Sequence, residues 1–347
     1  MKIAITGGAG FIGTHLTKAY LDAGHDVLVV DTLKYGSLEA VDPRARFYHM
    51  DIRDGALQSL FQRERPDIVS HHAASRVEMG QPLEEKALLD ADVHVRGLLN
   101  VLEGCVAASV SKFIFASGGN GLYGCPETME SLGEMTCAVD EDTPLCPLKP
   151  SDITKVAGEG YVRYFTRQFG LPHTILRYAD VYGETDAKLA RHPLTYFISM
   201  LLEQRRPIIR GAVDEARDHI CIEDVVRANL SVLTRGQNQT LHISSGESYS
   251  LRDLFGVVAM YLQSEIEPLY LSQTFSSSVP VRALDNTRAY RVLGWRPERD
   301  FAAGVQWAVE RFCERQGWDV PVMPAMPMLV EVVESTTSRE RYLVGAR

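Results

Sequence analysis

The sequence predicts an α/β protein: a doubly wound parallel sheet with a smaller C-terminal lobe. Three observations carry that prediction. Short runs rich in β-formers alternate with longer helical stretches through the first half of the chain. Those runs are apolar along nearly their whole length. A glycine-rich turn joins the first run to the first helical stretch. Strands covered on both faces by crossover helices read this way, whereas half-exposed antiparallel strands alternate polar with apolar.

In order, the predicted strands are "KIAIT" (2–6), "DVLVV" (26–30), "ARFYHM" (45–50), "DIVSHH" (67–72), "KFIFAS" (112–117) and "HTILRY" (173–178). Helical patterns such as "FIGTHLTKAYLDAG" (11–24) and "VRGLLNVLEGCVAAS" (95–109) lie between them. The stretch 125–150 reads as one long loop, rich in Pro, Glu, Asp and Thr. A loop of that length inside a compact domain goes with function or mobility. After about residue 183 the alternation becomes irregular, as a second lobe requires. The predicted division is 1–182 for the sheet domain, with 217–245 returning to it, then 183–216 and 246–318 for the second lobe, and 319–347 for a tail.

Composition narrows the partners. The 347 residues are 45% hydrophobic and 23% charged, an ordinary globular balance with length enough for a sizeable core. The net charge is -9 and no basic stripe occurs, so nucleic acid is not an expected partner. No apolar run approaches the length of a membrane span, so no membrane is expected either. The opening "MKIAITGG" reads as a strand entering a turn rather than as a signal peptide. Cysteines at 105, 125, 137, 146, 221 and 313 form no CxxC and have no paired histidine motif. They predict reduced thiols in a cytoplasmic protein, with no metal site.

The turn "ITGGAGFIG" (5–13) places Gly7, Gly10 and Gly13 where the first strand becomes the first helix. Glycine is needed where the backbone bends sharply and where a pyrophosphate must approach it, and the helix end then offers free N–H groups and a positive dipole. Asp31 ends the second strand, where a carboxylate accepts hydrogen bonds from the adenine ribose and repels a 2′-phosphate. The first domain is therefore expected to be a Rossmann-type unit that binds NAD rather than NADP.

The glycine spacing is GxxGxxG, and further motifs follow in order: "MDIRD" (50–54), "DIVSHHAA" (67–74), "KFIFASGGNGLYG" (112–124), "LRYADVYG" (176–183), "RDHICIEDV" (217–225) and "DNTRAYRVLGWRP" (285–297). Over about residues 1–310 the chain resembles the extended short-chain dehydrogenase/reductases. Within them it resembles the NAD-dependent nucleotide-sugar epimerases and dehydratases, nearest to the UDP-glucose 4-epimerase-like branch. The resemblance implies a cofactor site made by Gly7, Gly10, Phe11, Ile12, Gly13, Asp31, Asp51, Ile52, Ala73, Ala74 and Lys155.

In that family a tyrosine of a YxxxK motif takes the proton of the sugar hydroxyl while hydride leaves the same carbon, the lysine favouring the phenolate. A serine or threonine after the fifth strand hydrogen-bonds that hydroxyl. Aligning Lys155 on the family lysine puts Ser151 at the tyrosine position. The hydroxyl position falls on Gly118, with Ser117 one residue earlier, and a helix asparagine becomes His94. A serine hydroxyl is far less acidic than a phenol and too short to reach the place of the phenolic oxygen. Ser151 also has a plain reading, as a cap or first-turn residue of the helix that "KPSDITK" begins. The candidate catalytic set is Lys155, Ser117, Ser151 and Tyr123, with Asp152, Cys146 and His94 as further proton carriers; Tyr123 matches a family position that is usually structural.

For substrate, the resemblance implies Arg217 and Arg282 as diphosphate clamps, with Asp180 and Tyr178 at the hinge between lobes. The expected ligand is a nucleotide-diphospho-sugar, a UDP-sugar by preference. Helices near 84–109 and 152–169 are expected to pair with a second subunit in a homodimer, or else to be core. Two functions stay open: a divergent epimerase or dehydratase-like oxidoreductase working without the usual tyrosine base, and an NAD- and nucleotide-sugar-binding pseudoenzyme with a regulatory or scaffold role. A third is different chemistry on the same frame with NAD tightly held.

Overall fold

The computed structural model describes residues 1–75, 83–124, 138–184, 192–210, 213–271 and 283–319. The chain opens β1 (Lys2–Thr6), α1 (Phe11–Asp22), β2 (Asp26–Asp31), β3 (Arg46–His49), α2 (Ala56–Glu64) and β4 (Ile68–His71). It continues α3 (Leu83–Ala91), α4 (Leu98–Ala107), β5 (Lys112–Gly118), α5 (Pro150–Phe169), β6 (His173–Tyr178) and β7 (Asp180–Tyr182). It closes α6 (Pro193–Leu202), β8 (Ile208–Arg210), β9 (Arg217–Cys221), α7 (Ile222–Val232), β10 (Gln239–Ile243), β11 (Ser248–Tyr249), α8 (Leu251–Tyr261), β12 (Leu269–Leu271), α9 (Thr287–Leu293) and α10 (Phe301–Gln316). A turn of π-helix, Asp92–Gly97, joins α3 to α4, so the helix predicted over 95–109 continues from an earlier one.

Among the described residues the main sheet is seven-stranded, in the order β10-β6-β5-β4-β1-β2-β3, and every pairing is parallel. From β1 the chain runs outward to β2 and β3, then returns to β4 on the other side. The crevice between β1 and β4 is therefore the switch point at which such sheets take ligands. All six predicted strands lie in this sheet. Of the returning segment 217–245, β10 pairs with β6, whereas β9 pairs with β7 and β11 in a separate three-stranded sheet.

Strand periodicity divides the core between the two faces of the sheet. Ile3, Ile5, Val27 and Val29 point to a cluster with Leu16 and Tyr20 of α1, and Ala4, Leu28 and Val30 point to one with Leu57 and Phe61 of α2. A third cluster joins Phe197, Leu254, Phe255, Val305 and Phe312 of α6, α8 and α10.

Helix α5 decides where the candidate chemistry sits. Pro150 occupies its first turn and Gly170 ends it with φ +69°. Midway along it, the fully buried carboxylate of Glu159 accepts from Arg177 Nε at 2.9 Å and Nη2 at 2.7 Å, from Ser117 Oγ at 2.7 Å and from Arg163 at 2.8 Å. Burial alone would raise the Glu159 pKa; the bonds and charge of Arg177, then Ser117 and Arg163, outweigh it and hold the group below its ordinary value. The forked Arg177 contact pins α5 to β6.

Arg177→Met leaves a buried carboxylate without its partner and is expected to cost roughly 3–5 kcal/mol in urea unfolding at neutral pH. The folded pKa of Glu159 is depressed, so its contribution is complete above the unfolded value of about 4.3 and is lost as pH falls through the folded value. The stability gap between wild type and Glu159→Gln should therefore narrow on acidification. A gap that stays constant with pH would mean that the pair does not carry this energy.

Candidate functional site

A groove of about 350 Å³ runs over the C-terminal ends of the strands from β2 to β5. At its centre the chain turns from β1 into α1 through Gly7, whose φ is +72°. A Cβ there would lie 2.6 Å from the Ala73 backbone nitrogen, and one at Gly13 would lie 2.3 Å from the Gly7 carbonyl oxygen. Both contacts are with backbone, so side chains cannot be accommodated. Helix α1 has no side-chain cap and no acid in its first turn. Its positive end faces the groove uncompensated, which suits an anionic ligand.

Asp31 closes one side of the groove. Its carboxylate accepts from the Ala9 nitrogen at 3.0 Å and the Leu33 nitrogen at 2.8 Å. These bonds fix its orientation and leave lone pairs for ribose hydroxyls. Gly10, Phe11, Ile12, Asp51, Ile52, Ala73 and Ala74 also line the groove. Asp51 is salt-bridged to Arg53 at 2.6 Å, whose hydrogen bonds hold its carboxyl below the ordinary range. The Ile52 carbonyl is anchored by Asn100 Nδ2 at 2.7 Å. Thr32, Lys34 and Tyr35 line the groove too; they were missed in the sequence because the segment after β2 carries no motif.

The far end of the groove is formed by Ala116, Ser117, Lys155, Tyr178 and His72. Lys155 Nζ donates to the Ala116 carbonyl at 2.6 Å. Burial pushes its ammonium down to about 8, against the pull of Glu159 and Asp152. Ser117 lines the groove, yet its hydroxyl proton goes to Glu159. His94 lies behind this wall. Its Nε2 accepts from the Ser75 nitrogen at 2.9 Å, and Nδ1–H donates to Thr154 Oγ1 at 2.8 Å, which in turn donates to the Ser151 carbonyl. Burial first, then the charges of Lys155 and Lys86, push this imidazole down to about 3, so it is neutral and serves as a brace.

A second cavity, of about 280 Å³, adjoins the first at their shared residue Tyr178. Gly118, Gly121, Ser151, Asp152, Asp180, Glu215 and Arg217 are among its lining. Lys149 is the N-cap of α5 and Pro150 its first residue, so Ser151 belongs to the first turn and is not the cap. Arg217 pairs with Glu215 at 3.0 Å and stands 3.9 Å from Asp180. A Cβ at Gly118 would meet Leu122 at 3.5 Å and Asp152 Oδ1 at 4.0 Å, ordinary contacts, so the missing side chain there is not a steric necessity.

Other predicted residues fall elsewhere. Tyr123, weighed above as a proton carrier, lines neither cavity. Its hydroxyl is buried between His242 Nε2 at 2.6 Å and Arg177 Nη1 at 2.7 Å, and burial pushes its pKa far up. In that place the phenol bridges Arg177 of β6 and His242 of β10. Cys146 also lines neither cavity. Arg282, Cys125 and Cys137 lie outside the described residues. Among the described residues no cluster of His, Cys, Asp and Glu could hold a metal, and no helix is long and apolar enough to cross a membrane.

A parallel sheet with a glycine-lined anion cradle at its switch point and a groove-lining acid at the end of β2 defines a dinucleotide-binding α/β protein, here with a second polar cavity beside the groove. Residues 3–244 match the NAD dependent epimerase/dehydratase family. A Methanocaldococcus jannaschii protein described as a putative UDP-glucose 4-epimerase is 33% identical, covering 88% of this chain and 97% of its own. The Thermotoga maritima UDP-glucose 4-epimerase solved with UDP-glucose superposes with a TM-score of 0.83 at 32% identity, covering 91% of this chain and 100% of that one. The Thermus thermophilus UDP-glucose 4-epimerase solved with NAD gives 0.79 at 29% identity, covering 90% and 99%. The chain belongs to the NAD dependent epimerase/dehydratase family, within the extended short-chain dehydrogenase/reductases, and NAD is that family's cofactor.

Gly13→Ala is expected to destabilise the fold by roughly 1–3 kcal/mol, because neither backbone partner can yield, and to lower the NAD content of the purified protein. Thermal unfolding with and without added NAD checks both effects; a variant that keeps wild-type stability and cofactor content would contradict the close approach at this turn.

Proposed function

We propose that this chain is a nucleotide-sugar oxidoreductase of the epimerase/dehydratase kind, holding NAD in the first groove and a UDP-sugar in the second cavity. The observation that supports it most is the junction of the two spaces. Ser117 and Lys155 border the groove, Gly118 and Asp152 border the cavity, and Tyr178 borders both. When bound, NAD supplies a hydride acceptor that can return the hydride. Lys155 spends one donor on Ala116 and keeps others for a ribose hydroxyl. Arg217, oriented by Glu215, offers its remaining N–H groups to a diphosphate. Asp180, across from it, is placed for sugar hydroxyls.

The same reading includes a homodimer and a cytoplasmic setting. On α5, Ile153, Tyr161 and Tyr164 are exposed along one face, and Leu88 of α3 is 74% exposed, an apolar stripe that a second copy would cover. The free thiols of Cys105, Cys221 and Cys313 fit a reducing compartment. A binding-only protein is the second reading, favoured by one observation: the Ser117 hydroxyl is committed to Glu159 and no phenol stands at 151.

Mass spectrometry of the denatured protein is expected to release NAD. Incubation with UDP-, dTDP- and GDP-sugars is expected to give product, or the absorbance of reduced cofactor, with a UDP-sugar. Retained binding with neither signal would replace the enzyme reading by the binding-only one. Because a side chain fits at 118, Ser151→Tyr combined with Gly118→Ser should raise 4-epimerase activity on UDP-glucose. A folded double variant with no gain would count against an epimerase-like cavity.

A further inference from the structure

We propose that Asp152 is the proton carrier of this site, in place of the tyrosine that the chain lacks. The inference rests on the function proposed above and names its acid–base residue. Asp152 lies in the first turn of α5, and its side chain lines the second cavity with Gly118, Gly121, Asp180 and Arg217. It stands three residues before Lys155, on the same side of the helix, so one short stretch presents a carboxylate to the cavity and an ammonium to the groove.

The glycines around it fit that role. A Cβ at Gly121 would lie 2.5 Å from Asp152 Oδ2, so the carboxylate fills the space that any side chain at 121 would need. A Cβ at Gly118 would lie 4.0 Å from Asp152 Oδ1. A hydroxyl carried on such a Cβ and turned toward Asp152 would come within about a hydrogen-bond length of the carboxylate. The carboxylate is thus next to the place that a hydrogen-bonding hydroxyl at 118 would occupy. With small residues at both 118 and 151, a sugar hydroxyl can come closer to α5 than a serine–tyrosine pair would allow. This proximity offsets the shorter reach of aspartate, directly or through one water.

The carboxylate is also available. Among the described residues no hydrogen-bond donor is assigned to it, in contrast to Asp31, Asp51 and Glu159, each held by donors. Burial raises its pKa, against the pull of Lys149 on its own helix, Lys86 on α3 and Arg217 on β9, while Asp180 on β7 adds to the rise. That direction improves a base for work near neutral pH. His94, neutral and bonded at both ring nitrogens, does not compete for the proton, and Ser151 has no comparable basicity.

The step balances simply. The sugar carbinol loses its O–H proton to the carboxylate and the C–H hydride, with its electron pair, to the oxidised nicotinamide. A carbonyl forms, the carboxylate becomes a carboxylic acid, and reversal returns both hydrogens. Only the deprotonated acid accepts the proton, so the oxidation rate should rise with pH through the Asp152 pKa.

The test is Asp152→Asn beside Ser151→Ala in the full-length protein as purified with its cofactor, using UDP-glucose as the probe. Asp152→Asn is expected to keep its NAD content and its UDP-glucose affinity, to reduce bound cofactor about 10²–10⁴-fold more slowly, and to lose the acidic limb of the pH profile. Carbon NMR of labelled aspartates supplies a readout apart from turnover. The resonance missing in Asp152→Asn should titrate above about 3.9 in wild type and shift when UDP-glucose is added. Cofactor reduction at the wild-type rate in Asp152→Asn, or its loss in Ser151→Ala alone, would overturn the proposal while leaving the oxidoreductase reading standing. A resonance indifferent to bound UDP-glucose overturns it whether or not turnover is seen. A wild type that holds no NAD sinks the parent reading, and this proposal with it.

Discussion

The Glu159–Arg177 pair is the constraint on which the candidate site depends. Taking two ions out of water costs several kcal/mol each, and only forked, well-aligned contacts offset that cost. Here the fork is complete, and Ser117 and Arg163 fill the remaining acceptor positions on the carboxylate. The guanidinium also donates to Tyr123, which reaches His242 of β10, and to the Glu141 carbonyl. One buried pair therefore ties α5 to β5, β6 and β10 and to the loop before α5. The rotation of α5 sets where Lys155 and Asp152 point, so the network positions both residues of the proposed site.

Around that scaffold the groove and the second cavity are built differently. The groove side has the glycine turn, the β2 aspartate and Lys155, with backbone approaches so close that a Cβ at Gly7 or Gly13 would force the backbone to shift. The cavity side has glycine at 118, serine at 151 and, in Asp152, a carboxylate to which no donor is assigned among the described residues. Environment pushes the neighbouring groups toward each other: the Lys155 ammonium falls and the Asp152 carboxyl rises, both from burial.

Much of this was legible in the chain. Six of the seven strands of the main sheet announced themselves, since strands covered on both faces, such as "KIAIT" or "KFIFAS", are apolar along most of their length; β10 was not among them. Gly7 and Gly13 could be read because a strand–turn–helix with anion access leaves no room for Cβ. The departures at 118 and 151 were visible as letters. The pairing of β9 away from the main sheet was not, since "RDHIC" is a short polar-to-apolar stretch whose partners are chosen by contacts with β7 and β11. Tyr123 read as a candidate base because a phenol near an active-site strand is chemically able, while its burial against Arg177 depends on segments far along the chain.

The amino-acid order by itself determined the α/β class and the dinucleotide groove, because both follow from periodicity or from backbone sterics within a short stretch, while Lys155 was implied by the family resemblance. The tertiary structure alone decided what the polar side chains can do. Protonation and availability depend on burial and on groups supplied from distant segments: Glu159 claims the hydroxyl of Ser117, burial keeps His94 neutral between its two partners, and the glycines at 118 and 121 leave Asp152 exposed to the cavity.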